Sequence, residues 1–181
     1  DGANLGGGDY MTINQNKKVI HIVTPYDYDI IILNKKLNKT YIYFGSNGFS
    51  KFKKQAIQDG NAEKIATDVS VKRAVSKSNR LYNNSVWDLV DKSEKEVIDY
   101  SKIDRKKLTK ELQALSDAEL KKHVKTQKKK RSEIKKQINE LNKKRKIYVA
   151  KKQQESTKKN ELESVMIQAI KKQAMRKNYK W

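Results

Sequence analysis

After its first third this chain carries neither glycine nor proline: the seven glycines and the one proline all fall at or before Gly60. These residue types are the main local breakers of regular structure, and without them only polar caps are left to end an element. From about Ser50 onward the sequence therefore reads as helix after helix, with Gly60 as the one interior weak point. The core such helices can build is thin. Apolar residues make up 36% of the 181 residues and charged residues 35%, against roughly 45–50% and 25% in ordinary globular domains. The absence of cysteine excludes a disulfide framework, thiolate metal sites and thiol catalysis. No run of about 18 apolar residues occurs, so no transmembrane segment is expected.

The net charge of +21 is unevenly held. Residues 1–100 carry 15 basic and 12 acidic side chains, whereas residues 101–181 carry 27 and 9, which places +18 on the second part. Its densest runs supply the anion-binding candidates: Lys121, Lys122, Lys125, Lys128, Lys129, Lys130 and Arg131, then Lys143, Lys144 and Arg145. A cationic helix of this kind binds phosphates by counterion release, or an anionic lipid or polysaccharide surface. The competing reading is a solvated helix face, because the lysines are interleaved with Glu133, Glu140 and Glu155 and no aromatic platform accompanies them.

Periodicity divides the chain near residue 48. In the first part, residues 9–14 and 18–24 are short runs rich in Tyr, Ile, Val and Thr that predict two strands or a hairpin. Ile30, Ile31, Leu33 and Leu37 then recur at near-helical spacing and predict a helix of about three turns ending at Asn38. Tyr41-Ile42-Tyr43-Phe44 predicts a further short strand, closed by the turn Gly45-Ser46-Asn47-Gly48. The fold class expected is mainly α, with residues 1–48 a small α/β remnant and residues 49–181 a helical extension.

Within that extension, residues 61–80 predict a helix whose narrow face is Ala62, Ile65, Ala66, Val69 and Val75. Ser85 predicts the N-cap of a short amphipathic helix through Trp87, Leu89, Val90 and Val97. Ser116-Asp117-Ala118-Glu119 reads as a capping box that starts a long helix. Steps of four and three from there define a packing seam of Leu120, Val124, Ile134, Ile138, Leu141 and Tyr148, with polar members at Gln127, Arg131 and Arg145. The expected cover is residues 160–176, through Leu162, Val165, Met166, Ala169, Ile170 and Met175. The two helices would form a basic helical hairpin over about 116–178.

Signals for catalysis are weak. Gly6-Gly7-Gly8 lacks the further glycine of a dinucleotide loop, since Met11 stands there, and no Gly-Lys-Ser/Thr follows. His21 alternates with Val19 and Val23 on a strand pattern, far from any second ligand in sequence, and His123 sits among lysines on a helix surface. The carboxylate pairs Asp27/Asp29, Asp88/Asp91 and Glu94/Glu96 show no convergence by spacing; helix dipoles and flanking lysines account for the first and last. Asn38-Lys39-Thr40 and Asn83-Asn84-Ser85 fit the glycosylation sequon. The expectation is a non-enzymatic chain with no cofactor, metal site or catalytic residue.

Several strings resemble the closing portion of bacterial von Willebrand factor type A (VWA) domain proteins. They are Gly7-Gly8-Asp9-Tyr10-Met11-Thr12-Ile13, Thr24-Pro25-Tyr26-Asp27 with Ile31, Leu33-Asn34-Lys35-Lys36-Leu37-Asn38-Lys39-Thr40-Tyr41-Ile42, Tyr43-Phe44-Gly45, Gln58-Asp59-Gly60-Asn61-Ala62, Ala74-Val75-Ser76-Lys77-Ser78, Trp87-Asp88-Leu89-Val90-Asp91, the Lys/Arg-rich helix and the closing Tyr179-Lys180-Trp181, so the resemblance covers nearly the whole chain. The resemblance implies a Rossmann-like α/β domain lying mostly before Asp1, of which the first residues here would be the last strand and helix. It also implies a periplasmic or cell-envelope location, a protein partner, and a divalent metal in the upstream part held through Asp-x-Ser-x-Ser. The nearest strings, Asp68-Val69-Ser70-Val71-Lys72 and Asp91-Lys92-Ser93-Glu94-Lys95, place lysine at the fifth position, so no metal ligand carries over onto this chain. The function expected is interaction or scaffolding through protein contacts, with a basic binder of nucleic acid or an anionic envelope surface as the alternative.

Overall fold

The computed structural model describes residues 21–157 and 161–177, the side chains of 156, 157, 161–166 and 168 excepted. It is mainly helical. The helices are α1 (Asp27–Asn38), α2 (Gly48–Ile65), α3 (Thr67–Ser78), α4 (Leu89–Lys95), α5 (Lys110–Gln113), α6 (Asp117–Thr157) and α7 (Glu161–Arg176), with 3-10 turns at Tyr100–Lys102 and Arg105–Lys107. The strand expected at 9–14 lies outside the described residues, as do residues 18–20 of the second. Residues 21–24 are irregular, and Tyr43 makes only an isolated antiparallel bridge to Asp88. The strand expected at Tyr41–Phe44 is therefore corrected: among the described residues this part of the chain is one helix and an extended segment. Tyr41–Phe44 has a single short neighbour, to which it is tied by Phe44 N–H donating to Trp87 O (2.9 Å) and Leu89 N–H to Ile42 O (2.9 Å). One two-bond contact cannot propagate into a ladder.

Helix α1 falls where its periodicity places it and buries Ile30, Leu33 and Leu37. Asp27 does more than meet the helix dipole: it is buried and accepts from the Thr24 backbone N–H (3.1 Å) and hydroxyl (2.6 Å), which fixes the direction of approach into the helix. The turn after Phe44 needs glycine at position 45, and Gly48 sits close against Tyr43. Gly45 has φ +75°, and a Cβ on Gly48 would meet the Tyr43 backbone and Cβ at 3.4 Å. The helix expected over 61–80 is instead two. Gly60 lies inside α2 with open space around it, and the break comes at Ala66, whose extended backbone separates α2 from α3. Val71 and Ala74 turn inward from α3, while Ile65 stays in water. The Ser85 cap is also corrected. Asp88 caps α4, accepting from the Asp91 N–H (2.9 Å), and Val97 is fully exposed beyond the helix end.

The capping box is present as the sequence reads it. Ser116 N–H and its hydroxyl donate to Glu119 (2.8 and 2.7 Å), and the Glu119 N–H donates back to the Ser116 hydroxyl at 3.3 Å. Helix α6 then runs for 41 residues, about 60 Å at 1.5 Å per residue. Its seam is buried: Leu120, Val124 and Ile138 have no more than 1% exposure, Ile134 and Leu141 pack at the core edge, and Tyr148 meets the Tyr26 ring edge-on.

The cover is a different one from that expected. Leu120 and Val124 join Ile42, Leu89, Val90, Leu108 and Leu112; Ile138 joins Ile30, Leu37, Tyr41, Val71, Ala74 and Trp87. Helix α6 is thus the spine against which α1, α3 and α4 pack. On α7, Ala169 is half-buried, whereas Ile170 and Met175 are exposed; Leu162, Val165 and Met166 are among the side chains not described. The physical reason is connectivity-blind: three upstream helices offer more apolar area to one stripe than a single polar-rich helix does.

Truncating Leu120 or Ile138 to Ala is expected to cost about 2–5 kcal/mol in urea unfolding, and Ser116→Ala about 1 kcal/mol. Ile167→Ala on α7 should stay within about 0.5 kcal/mol; a loss at Ile167 equal to that at Ile138 would show that α7, not the upstream helices, covers the seam.

Candidate interaction surface and its buried anchors

The seam of α6 places a cation, Arg131, midway between Val124 and Ile138, and its guanidinium is wholly buried. An arginine has five N–H donors and no acceptor, so burial is tolerable only if each finds oxygen. All five do. Nε donates to the Thr40 hydroxyl (2.9 Å); Nη1 donates to Asp88 and to Asp91 (2.6 Å); Nη2 donates to Thr40 O (2.7 Å) and Asp88 Oδ1 (3.3 Å). The Tyr41 ring lies beneath, its centroid 4.2 Å from the guanidinium carbon. The two carboxylates are held by backbone in turn: Asp88 accepts from Ile42 N–H (2.7 Å) and Asp91 from Asn84 N–H (2.7 Å).

Electrostatics in this cluster follow from desolvation against charge. Burial pushes the Asp88 carboxyl above its ordinary range, with the Arg131 charge and hydrogen bonds opposing. Burial works to lower Arg131, but the Asp88 charge and hydrogen bond, with Asp91, outweigh it and raise it. Burial also drives the Tyr41 hydroxyl far up, so it stays neutral. The convergence of Asp88 with Asp91 was not visible in their spacing. Their partner lies about 40 residues away on another helix, and no local pattern reports such a contact.

A second anchor sits 14 residues, or four turns, along the same face of α6. Arg145 donates through Nε to Asp27 (2.8 Å) and through Nη2 to Asp68 (2.8 Å). Asp68 also faces Lys72 (2.7 Å) and His21 Nδ1 (3.2 Å). Burial works to raise Asp68, but the Lys72 and Arg145 hydrogen bonds outweigh it and hold the carboxyl low. His21, read as a strand residue without a carboxylate, is thus beside one. A third cluster joins α1, α2 and α3: Lys77 Nζ donates to Asp59 (2.6 Å) and to Asn38, and Arg73 donates to Asp59. Burial pushes the Lys77 ammonium down from 10.5 to about 8, against the pull of Asp59. Burial works to raise Asp59 as well, but the Lys77, Asn38 and Arg73 contacts outweigh it and leave the carboxyl low.

Two of the anion-binding candidates are therefore corrected. Arg131 and Arg145 point into the protein and hold its own carboxylates; they are not available to an outside anion. Lys121, Lys122, Lys125, Lys129, Lys130, Lys143 and Lys144 are exposed, and Lys128 is half-buried with Nζ reaching Ser93 O at 3.3 Å. Lys136 is exposed too and was missed, although a seven-residue spacing marks it. Lys122, Lys129, Lys136 and Lys143 form one row at intervals of about 10 Å on the side of α6 opposite the seam. His123 is half-buried beside Gln127.

Concave features offer less. One cleft, of about 420 Å³, lies between Phe44, Lys92 and the 96–107 segment. Its charged groups already pair, Lys92 with Glu96, Lys102 with Asp99 and Lys107 with Asp104. Among the described residues no group of three His, Cys, Asp or Glu side chains is placed to hold a metal ion. Comparison of the chain with protein-family models, curated proteins and solved structures finds no match.

Replacing Arg131 by Ala leaves two buried carboxylates without their cation, and a loss of about 3–5 kcal/mol is expected in urea unfolding. Arg131→Lys should rescue little, because three rotating donors cannot reach the five positions the planar fork fills. For Lys77 the sign is set by the lowered value. Between pH 8 and 10.5 the unfolded chain keeps a proton there that the folded chain sheds, so this site's contribution to stability rises with pH across that window. The wild-type stability minus that of Lys77→Met should climb by about 3 kcal/mol at most between those limits; a flat or falling difference would contradict the burial argument.

Proposed function

We propose that this chain is a non-enzymatic interaction and scaffolding segment in which the upstream helices grip α6 from one side and hold its lysine row outward for an acidic partner protein. One observation carries the reading: the seam arginines are consumed internally, while Lys122, Lys129, Lys136 and Lys143 all stand exposed on a helix that the core makes rigid. A fixed row needs no ordering on contact, so little side-chain and backbone freedom remains to be lost beyond the lysine stems. Charge of this kind speeds encounter and selects a partner of opposite sign.

The other chemistry of the chain supports a binding role. The buried carboxylates are saturated by arginine and lysine, and the shallow cleft is lined by charges already paired. Membership of a VWA-type envelope protein, with a divalent metal and the α/β domain upstream, belongs to the same proposal and rests on the resemblance of the motif strings along nearly the whole chain. A second reading, an anionic polymer or surface as the partner, is favoured by the even spacing of the row, which extends over about 30 Å.

Titration with poly-glutamate and with heparin separates these readings. The chain is expected to bind poly-glutamate, with an affinity that falls as salt rises. The combined Lys122→Gln, Lys129→Gln, Lys136→Gln and Lys143→Gln variant should lose at least about tenfold while unfolding within about 1 kcal/mol of wild type. Unchanged affinity in that variant would remove the row from the account; tighter binding to heparin than to poly-glutamate would favour the second reading.

A further inference from the structure

The last helix leaves apolar side chains in water that the core does not use. Ile167, Ile170 and Met175 on α7 are 47%, 46% and 66% exposed. At 100° per residue they fall within one arc of about 140°. The helix opens on Glu161 and Glu163, after which residues 164–177 carry Lys171, Lys172, Arg176 and Lys177 and no acidic residue, and all four cations are exposed. An occupant of this face must therefore offer apolar contact and negative charge together.

The position of Lys171 selects between the occupants that meet that description. It lies inside the apolar arc, between Ile167 and Met175. A protein groove closing over the arc would strip water from its ammonium against apolar walls, which is costly without a built counter-charge. A lipid interface imposes no such cost: the four-carbon stem lies along the acyl boundary and the ammonium reaches up to the headgroup phosphates. No helix among the described residues is long and apolar enough to cross a membrane, so contact would be along the surface.

We infer that α7 is an interfacial amphipathic helix that docks the chain on an anionic lipid surface. Ile167, Ile170 and Met175 enter the acyl boundary, while Lys171, Lys172, Arg176 and Lys177 engage lipid phosphates. These side chains are not those of the α6 lysine row, so this inference stands or falls apart from the function proposed above.

Co-sedimentation of the full chain with phosphatidylcholine vesicles, with and without phosphatidylglycerol, tests it. Binding is expected only to the phosphatidylglycerol vesicles. The Ile167→Glu/Ile170→Glu variant should lose at least about tenfold, because two apolar anchors become anions at a negative surface. Lys171→Gln/Lys172→Gln should lose less and show a shallower salt dependence. Since the substituted side chains lie outside the core, circular dichroism and urea unfolding should match wild type. Three results would overturn the inference. They are equal binding to both vesicle types, vesicle binding undiminished in the Ile pair variant, and a wild-type oligomer in sedimentation velocity that the Ile pair variant converts to monomer, which would assign the face to a second copy of the chain.

Discussion

A single guanidinium organises this fold. Arg131 lies within the longest described helix, donates all five of its hydrogen bonds to Thr40, Asp88 and Asp91, and sits over the Tyr41 ring. Those partners come from the extended segment after α1 and from the cap and first turn of α4. Each has a second duty: Asp88 also caps α4 and receives the Ile42 N–H, and the Thr40 hydroxyl donates to Leu37 O. Removing the cation therefore disturbs the end of one helix and the start of another at once. A buried ion cluster of this type is poor evidence for net stability against an apolar replacement, but it strongly disfavours wrong registers, since a shift of α6 by one residue leaves several charges without partners.

Arg145 repeats the device four turns on, with Asp27 and Asp68 from α1 and α3. Two such points, about 21 Å apart along α6, fix both its position along the axis and its rotation. The consequence for function is a division of labour among cations of similar sequence context. Those on the seam are internal counter-ions, and those on the far side face solvent as a row of near-constant spacing. That division turns a highly charged helix into a rigid cationic edge whose inner face is neutralised by its own protein.

Much of this was legible locally. The Ser116 to Glu119 box, the extent of α1 and the burial of Leu120, Val124 and Ile138 follow from spacing and side-chain chemistry within one or two turns, and the structure has them where the pattern puts them. The failures share one cause. The strand expected at Tyr41–Phe44, the Ser85 cap, the downstream cover for the seam and the assignment of Arg131 and Arg145 to an outer face all depend on which distant segment lies alongside. Ser85 and Asp88 are both good caps by type; only the need of Arg131 for an acid decides between them.

The sequence by itself determined that this chain is helical, thin-cored and cationic toward its C-terminal end, because glycine and proline usage, hydrophobic period and charge count act through the nearest few residues. Only the tertiary structure decided which cations are structural and which are presented. A charge is indistinguishable from its neighbours along the chain until burial removes its water and obliges it to find a carboxylate from another helix.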